Sequence, residues 1–200
     1  MNLVSFLSKS YIRKDVSEIY LYMLCYKFRI YPNQKQIQAL EQIIESCRLL
    51  YNQSLEERRK DSGLKYNEQK RNLTQKRKNI SSLQNIHSQV LQNVLLRLEK
   101  AFQNHHRNPN QWGMPMFKRH FRYNSITYPQ LGGFQVVGDK LKLAFVDGLI
   151  NVKLHRVTKG VMKTCTIIKD IDRWFVCFSC NDNRQKNVNG KKVGIDVGLT

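Results

Sequence analysis

The pattern of apolar and polar residues changes twice along the chain. From Leu24 to Ile30 the two classes alternate with the period of a half-buried β-strand, which Pro32 ends. From about residue 33 to residue 107, apolar residues recur at helical spacing instead. After Pro109 the pattern becomes short alternating runs separated by turn residues. The order of strand, helices and strands predicts an α+β fold.

Three helices are predicted in the helical part. Asn33 is the expected N-cap of the first, with Gln36 three residues later as its capping-box partner. The Asp61-Ser62-Gly63 cluster ends this helix. The remaining predicted features are a weaker and very basic helix at 67–78, a break at Ser81-Ser82, and a third helix at about 84–106.

The last part of the chain predicts a small antiparallel β-barrel or sheet. Two pairs of turn residues, Gly138-Asp139 and Asp147-Gly148, lie between alternating runs, as in β-hairpins. A final strand is predicted at Lys192–Gly198, after a polar linker at 181–191. The other predicted strands lie at about 134–137, 141–146, 149–155, 162–169 and 173–180.

The charge of the chain indicates a polyanionic partner. The sequence has 34 Lys and Arg against 15 Asp and Glu, a formal net charge of +19. Between Gln69 and Gly138 the only carboxylate is Glu99, and aromatic residues are interleaved with the cations, which favours nucleic acid over a membrane surface. The cations of this stretch are Lys70, Arg71, Lys76, Arg77, Lys78, Arg97, Lys100, Arg107, Lys118, Arg119 and Arg122.

The cysteines and the apolar runs indicate a reduced, cytoplasmic protein. The five cysteines are odd in number and scattered, and no apolar run is long enough for a signal peptide or a membrane span. Cys177 and Cys180 have zinc-knuckle spacing. They lie in a predicted strand, however, which directs the two thiols to opposite faces and argues against a shared metal.

Residues Phe117 to Tyr123 combine cations with aromatic rings. Lys118, Arg119 and Arg122 can neutralise phosphates, and Tyr123 can stack on an exposed base. The alternative is a strand that packs its rings inward and leaves a solvated basic face. Composition alone does not separate these two interpretations.

Asp196 is the one carboxylate in a context that suggests catalysis. It lies on the final predicted strand between Gly194 and Gly198, which leave room for a metal and a phosphate backbone. The alternative is an ordinary Asp before a turn, and a two-metal site needs several carboxylates. His105-His106 fits contacts with the carbonyls of a helix end better than general-base chemistry. The remaining Asp candidates occur at predicted turns: Asp139, Asp147, Asp170, Asp172 and Asp182.

Six motifs in one order resemble the TnpB family of insertion-sequence proteins. The resemblance runs from about Met23, the expected natural start, to Thr200. The motifs are Tyr26-Lys-Phe-Arg-Ile-Tyr-Pro-Asn33, Cys47-Arg-Leu-Leu-Tyr-Asn52, Leu91-Gln-Asn93 with Leu98-Glu-Lys-Ala-Phe102, Gly113-Met-Pro-Met-Phe-Lys118, Val152-Lys-Leu-His-Arg156, and Val193-Gly-Ile-Asp-Val-Gly-Leu-Thr200.

This resemblance implies an RNA-guided DNA endonuclease whose partners are guide RNA and target DNA, with neither a membrane nor a small-molecule substrate involved. It also implies a wedge-like barrel interrupted by a helical recognition insert and followed by the first strand of a RuvC-type, ribonuclease-H-like domain. The expected divisions are an N-terminal extension at 1–22, the barrel at 23–32 and 108–180, the insert at 33–107, a linker at 181–191, and the RuvC-like strand at 192–200.

The resemblance also implies roles for single residues. Asp196 is similar to the family's first Mg²⁺-ligand Asp. Tyr66 is expected to stack on the DNA motif beside the target, and Gln92 is expected to form hydrogen bonds with a base edge of that motif. The alternative for Gln92 is an ordinary polar position on a helix. The family's further acids and its zinc ribbon lie downstream of the matching region. We therefore expect a truncated chain with an incomplete nuclease and no zinc ribbon. The alternatives are a basic regulator without catalysis or a non-functional remnant.

Overall fold

The computed structural model describes residues 22–182, which form an antiparallel β-barrel with a helical insert after its first strand. The first strand, β1 (Tyr22–Tyr31), leads directly into the helices, and the other strands follow them. The helices are α1 (Gln34–Lys60), α2 (Tyr66–Asn79), α3 (Ser81–Gln84) and α4 (Ser88–Arg107). The later strands are β2 (Ser125–Tyr128), β3 (Phe134–Val137), β4 (Lys140–Leu143), β5 (Val146–Lys153), β6 (Val161–Asp170) and β7 (Arg173–Asp182).

The seven strands of the described region lie in the order β2-β6-β7-β1-β5-β4-β3, and all neighbours are antiparallel. The barrel is nearly closed. Across the open side, the Tyr128 hydroxyl on edge strand β2 donates to the carbonyl of Ala144, in the turn after β4, at 3.2 Å. The predicted α+β fold with a small antiparallel barrel is confirmed. The predicted strand at 192–200, the extension at 1–21 and the linker from residue 183 lie outside the described residues.

The first helix begins where the sequence predicts it. The Asn33 side chain accepts from the Gln36 backbone N–H at 2.9 Å, and the Gln36 side chain accepts from the Asn33 N–H at 3.0 Å. This capping box also joins the helix to the barrel, because Gln36 Nε2 donates to the carbonyls of Asp147 and Leu149. One buried side chain thus fixes both the start of α1 and its position on β5.

Two predicted turns have different outcomes. Gly138-Asp139 does connect a hairpin, since Val137 pairs with Lys140, and Gly138 adopts the left-handed φ of 60° that its turn requires. The predicted turn at Asp147-Gly148 is wrong, because both residues lie within β5. The chain turns earlier, at Ala144-Phe145, where Phe145 takes a φ of 65°. Gln36 holds the Asp147 carbonyl in the strand instead.

Two other boundaries differ from the prediction. Ser81-Ser82 begins the short helix α3, and α4 starts at Ser88 rather than near residue 84. Strand β2 was missed because its four residues follow a long irregular segment and are too few to show a clear period.

The helices and the barrel share one apolar core. Leu40 and Leu98 from the helices and Ile126 and Phe178 from the strands are all fully buried in a single cluster. Along β7 the even-numbered residues from Trp174 to Cys180 point inward, so Cys180 is buried while Cys177 lies on the outer face, as predicted. Within residues 22–182, the structure contains no helix with the length and apolarity needed to cross a bilayer.

Candidate nucleic-acid interface

Most acidic side chains of the helices form ion pairs. Five of the six glutamates in α1, α2 and α4 pair with a cation, and the sixth, Glu68, is exposed in the first turn of α2. Many cations remain without an acidic partner in the described part of the chain. The exposed ones on and beside the helices are Lys35, Arg59, Lys65, Lys70, Arg71, Lys78, Lys100 and Arg107.

Arg58 is the centre of a polar network that joins three helices. Its side chain is only 7% exposed; it donates to Glu99 on α4 at 2.7 Å and to Gln69 on α2 at 2.8 Å. The guanidinium also lies 5.0 Å from the ring centroid of Phe102. Gln69, itself buried, donates to the Ser54 carbonyl. Glu99, the one carboxylate of the basic stretch, is therefore neutralised internally.

The segment that leads from α4 back to the barrel, residues 112–122, is here called the strap. Side chains of the helices hold its backbone. Asn52 makes two hydrogen bonds with the Lys118 backbone, accepting from its N–H at 2.7 Å and donating to its carbonyl at 3.0 Å. Arg48 donates to the same carbonyl, and Arg59 donates to that of Pro115, at 2.9 Å each. Two motifs that are separate in the sequence, at 47–52 and 113–118, are thus in direct contact.

The strap presents cations and rings to solvent. Phe117 is half-exposed with the Arg59 guanidinium 4.6 Å from its ring centroid. Phe121 is 69% exposed, and the Arg122 guanidinium lies 5.9 Å from its centroid. Arg119 and Arg122 are both exposed and make no ion pair within residues 22–182. This surface can contact phosphates and stack on bases at once.

The four residues predicted in this stretch have different environments. Arg119 and Arg122 are exposed, as phosphate contacts require, and Lys118 is half-buried with its ammonium 5.7 Å from the Tyr51 ring centroid. Tyr123 is only 6% exposed and packs against Tyr51, so its ring has no face free for a base. Burial also raises the pKa of the Tyr123 hydroxyl. The exposed ring at this site is Phe121 instead.

The remaining predicted binding residues lie on two helices that pack against each other, α2 and α4. Tyr66 begins α2 with its ring packed partly against the core, beside a groove lined by Lys65, Asn67, Glu68 and Arg71. Lys70 is exposed one turn later. Gln92 is half-buried on α4. The strap is hydrogen-bonded mainly to side chains of α1, and His105 of α4 adds one contact at Trp112.

Some predicted phosphate contacts are used structurally. Arg97 donates to the Ser125 carbonyl at 2.8 Å and to the Thr127 hydroxyl at 2.7 Å, which fixes α4 on β2. Lys76 pairs with Glu57. His106 donates to the Phe102 carbonyl at 2.6 Å, as the helix-end interpretation predicts, whereas His105 donates to the Trp112 carbonyl of the strap.

Asp196 lies outside the described residues. Between residues 22 and 182, no group of three or more His, Cys, Asp or Glu side chains is placed to hold a metal ion. The described residues therefore do not supply the several oxygen ligands that two-metal chemistry needs.

Sequence comparison finds two matches to known proteins. A family model described as a helix-turn-helix domain, of the OrfB type from IS605 elements, matches residues 23–62. In the structure those residues form β1 and the single long helix α1. A candidate RNA-guided DNA endonuclease of Streptomyces pristinaespiralis is 28% identical over 189 residues, which is 88% of this chain. The chain spans 46% of that relative.

Proposed function

We propose that the chain binds guide RNA and target DNA as part of a TnpB-type, transposon-associated nuclease. Its similarity to the OrfB-type family model and to the Streptomyces relative supports this proposal. The observation that carries the proposal is the strap, where Arg119 and Arg122 form no ion pair within residues 22–182 and lie beside exposed aromatic rings. Most carboxylates of the helices that hold the strap are in internal ion pairs. Few negative charges therefore remain to weaken the positive field around the strap.

The test measures nucleic-acid affinity as a function of salt. The chain is titrated into a labelled RNA hairpin and a labelled DNA duplex, and anisotropy is followed from 50 to 200 mM salt. We expect affinity to fall steeply, because each phosphate contact releases counterions. Sequencing the RNA that co-purifies with the chain identifies the guide. A flat salt dependence on both ligands would contradict the proposal.

A matched pair of double variants locates the interface. Arg119→Gln with Arg122→Gln removes two strap cations. Lys159→Gln with Arg173→Gln removes two exposed cations from the barrel, one in the loop between β5 and β6 and one beside the turn between β6 and β7. The strap variant should lower affinity and reduce the slope of log K against log salt by about 2, roughly 1 per phosphate contact. The loop variant should stay close to wild type. Equal losses in both variants would mean that net charge, and not the strap, governs binding.

We further propose that Tyr66 and Gln92 contact the DNA motif beside the target. Replacing either with Ala should reduce discrimination between motif and scrambled duplexes by roughly 1–3 kcal/mol, while binding to scrambled DNA stays unchanged. Both side chains retain exposed surface in the structure. An equal loss on every sequence would assign them a structural role.

We propose that Asp196 is a Mg²⁺ ligand. With guide RNA, target DNA and Mg²⁺, we expect the 200-residue chain to bind without cutting, because one carboxylate cannot hold two metal ions. Guide-dependent cutting that disappears in Asp196→Ala would show that the chain contains the partner acids.

A further inference from the structure

The outer face of the barrel carries a second surface of cations and aromatic rings. On β1 the residues Tyr26, Phe28 and Ile30 point inward and are buried, so Lys27, Arg29 and Tyr31 point outward. The pairing register places neighbours beside them: Arg29 lies between Lys153 of β5 and Phe175 of β7, and Tyr31 pairs with Asn151, which in turn pairs with Lys140 of β4. Lys27, Tyr31, Lys140 and Lys153 are exposed, and Arg29 and Phe175 are partly exposed.

The cations and the rings of this face are in direct contact. The Lys27 ammonium lies 4.2 Å from the centroid of Phe175, and the Arg29 guanidinium lies 5.4 Å from that of Tyr31. Arg29 Nε is shielded from water and has no hydrogen-bond partner within the described residues. Buried donors of this kind are normally satisfied, so Arg29 has unused hydrogen-bonding capacity within the described residues.

The spacing of the two rings suits unpaired bases. Tyr31 is two residues beyond Arg29 on β1, and Arg29 is directly opposite Phe175, so the rings are diagonal neighbours on adjacent strands. Diagonal neighbours lie roughly 7–8 Å apart, within the span of two successive bases stacked on a sheet. The six positions that form this face, namely Lys27, Arg29, Tyr31, Lys140, Lys153 and Phe175, include no carboxylate.

We propose that this outer face binds a single-stranded nucleic acid segment. Bases stack on Tyr31, Phe175 and the Arg29 guanidinium, and the backbone phosphates contact Lys27, Lys140 and Lys153. A duplex could use the lysines but not the rings, because its base faces are already covered by neighbouring pairs; the rings therefore favour single strands. The site is on the barrel and shares no residue with the strap, so it can be tested separately from the function proposed above.

The test compares ligands and variants. The probes are fluorescein-labelled 12-nucleotide single strands of RNA and of DNA, with a hairpin duplex of the same length. Tyr31→Leu keeps an apolar side chain at a position that is already 48% exposed, so folding should be retained. We expect it to weaken binding of both single strands about tenfold and to leave duplex binding unchanged. Phe145→Leu is the matched control: its ring is 50% exposed in the turn between β4 and β5, outside both proposed surfaces, so binding of single strands and of duplex should be unchanged.

A second measurement reports where the strand lies. Cys25 is exposed and precedes Lys27 on the same outer row of β1. A bound single strand should slow alkylation of Cys25 at least severalfold, while the hairpin should not. Lys27→Gln with Lys153→Gln should abolish that protection. The proposal is overturned if Tyr31→Leu affects single strand and duplex equally, or if Cys25 is alkylated at the same rate with and without the single strand. If only the strap variants fail to lower affinity, the proposal for the outer face of the barrel is not contradicted.

Discussion

The helical insert and the barrel use their positive charge in different ways. In the insert, cations such as Arg58 and Lys76 neutralise glutamates between helices, and the surplus cations lie on the surface. On the barrel, Lys27 and Arg29 lie against aromatic rings, and the strands they occupy offer them no acidic partner in the described residues. The insert therefore combines charge with interhelical bonding, while the barrel face combines charge with stacking surface.

This difference shows why net charge alone predicts binding but not its location. A cation in an ion pair contributes little to the long-range field, whereas one held on a ring retains its full charge. Arg97 and Lys76 count fully in the formal charge, yet both are occupied by contacts within the protein. The surfaces available to a polyanion are those where cations remain after this internal pairing.

The largest predicted effect tests whether the two regions fold together. Leu98 in α4 and Phe178 in β7 are both fully buried in the same apolar cluster. We expect Leu98→Ala to lower the free energy of unfolding by about 2–5 kcal/mol and Phe178→Ala by about 3–5 kcal/mol. Denaturant melts followed by tryptophan fluorescence and by circular dichroism should coincide in each variant. Separate transitions would mean that the insert and the barrel unfold independently.

The next prediction concerns the polar network of the insert. Arg58→Met removes the partner of Glu99 and of Gln69, so unfolding free energy should fall by roughly 2–4 kcal/mol, since water still reaches part of Glu99. Adding Glu99→Leu should recover most of this loss. The exposed pair Lys60 and Glu56 is the control, and Lys60→Met should produce no measurable change. A double variant as unstable as the single one would assign the loss to packing against Phe102.

A smaller effect is expected in the barrel, where the sequence conflicts with the backbone. Ile171, in the turn between β6 and β7, is 83% exposed and has a φ of 52°, which is unfavourable for a β-branched residue. Ile171→Gly should raise the unfolding free energy by about 1 kcal/mol, measured by thermal denaturation. Ile171→Val keeps the branched side chain and should leave the unfolding free energy unchanged. A loss of stability in the glycine variant would refute the assignment of strain.

The last prediction concerns reactivity on the barrel face. A hydrogen bond from Cys177, aided by the nearby Arg156, lowers the pKa of the Cys25 thiol to about 7, although partial burial opposes the shift. Since the thiolate is the nucleophile, alkylation of Cys25 should rise as pH increases through 7 and level off by about pH 8. Burial raises the pKa of Cys47 and of Cys165, so both should react slowly. Cys177→Ala should move the midpoint for Cys25 to higher pH; an unchanged profile would contradict this account.

The local signals that the sequence predicted correctly are those set by adjacent residues. The Asn33 capping box, the Gly138-Asp139 turn and the alternation along β7 each depend on backbone geometry within a few residues. The turn predicted at Asp147-Gly148 lies instead at Ala144-Phe145. The Asp147 carbonyl in β5 accepts from Gln36 of α1, a contact between residues far apart in the sequence. The sequence left Tyr123 open between base stacking and inward packing, and the structure shows its ring buried.

The sequence by itself determined the succession of elements, the excess of positive charge and the family motifs, since these are properties of composition and of short-range order. Only the tertiary structure decided which cations of the described residues have no acidic partner, because ion pairs such as Arg58 with Glu99 join residues that are 41 positions apart in the sequence. It also decided that the motifs at 47–52 and 113–118 form one unit through Asn52 and Lys118. The outer face of the barrel, too, follows from strand register, which brings Lys153, Arg29 and Phe175 together from three separate strands.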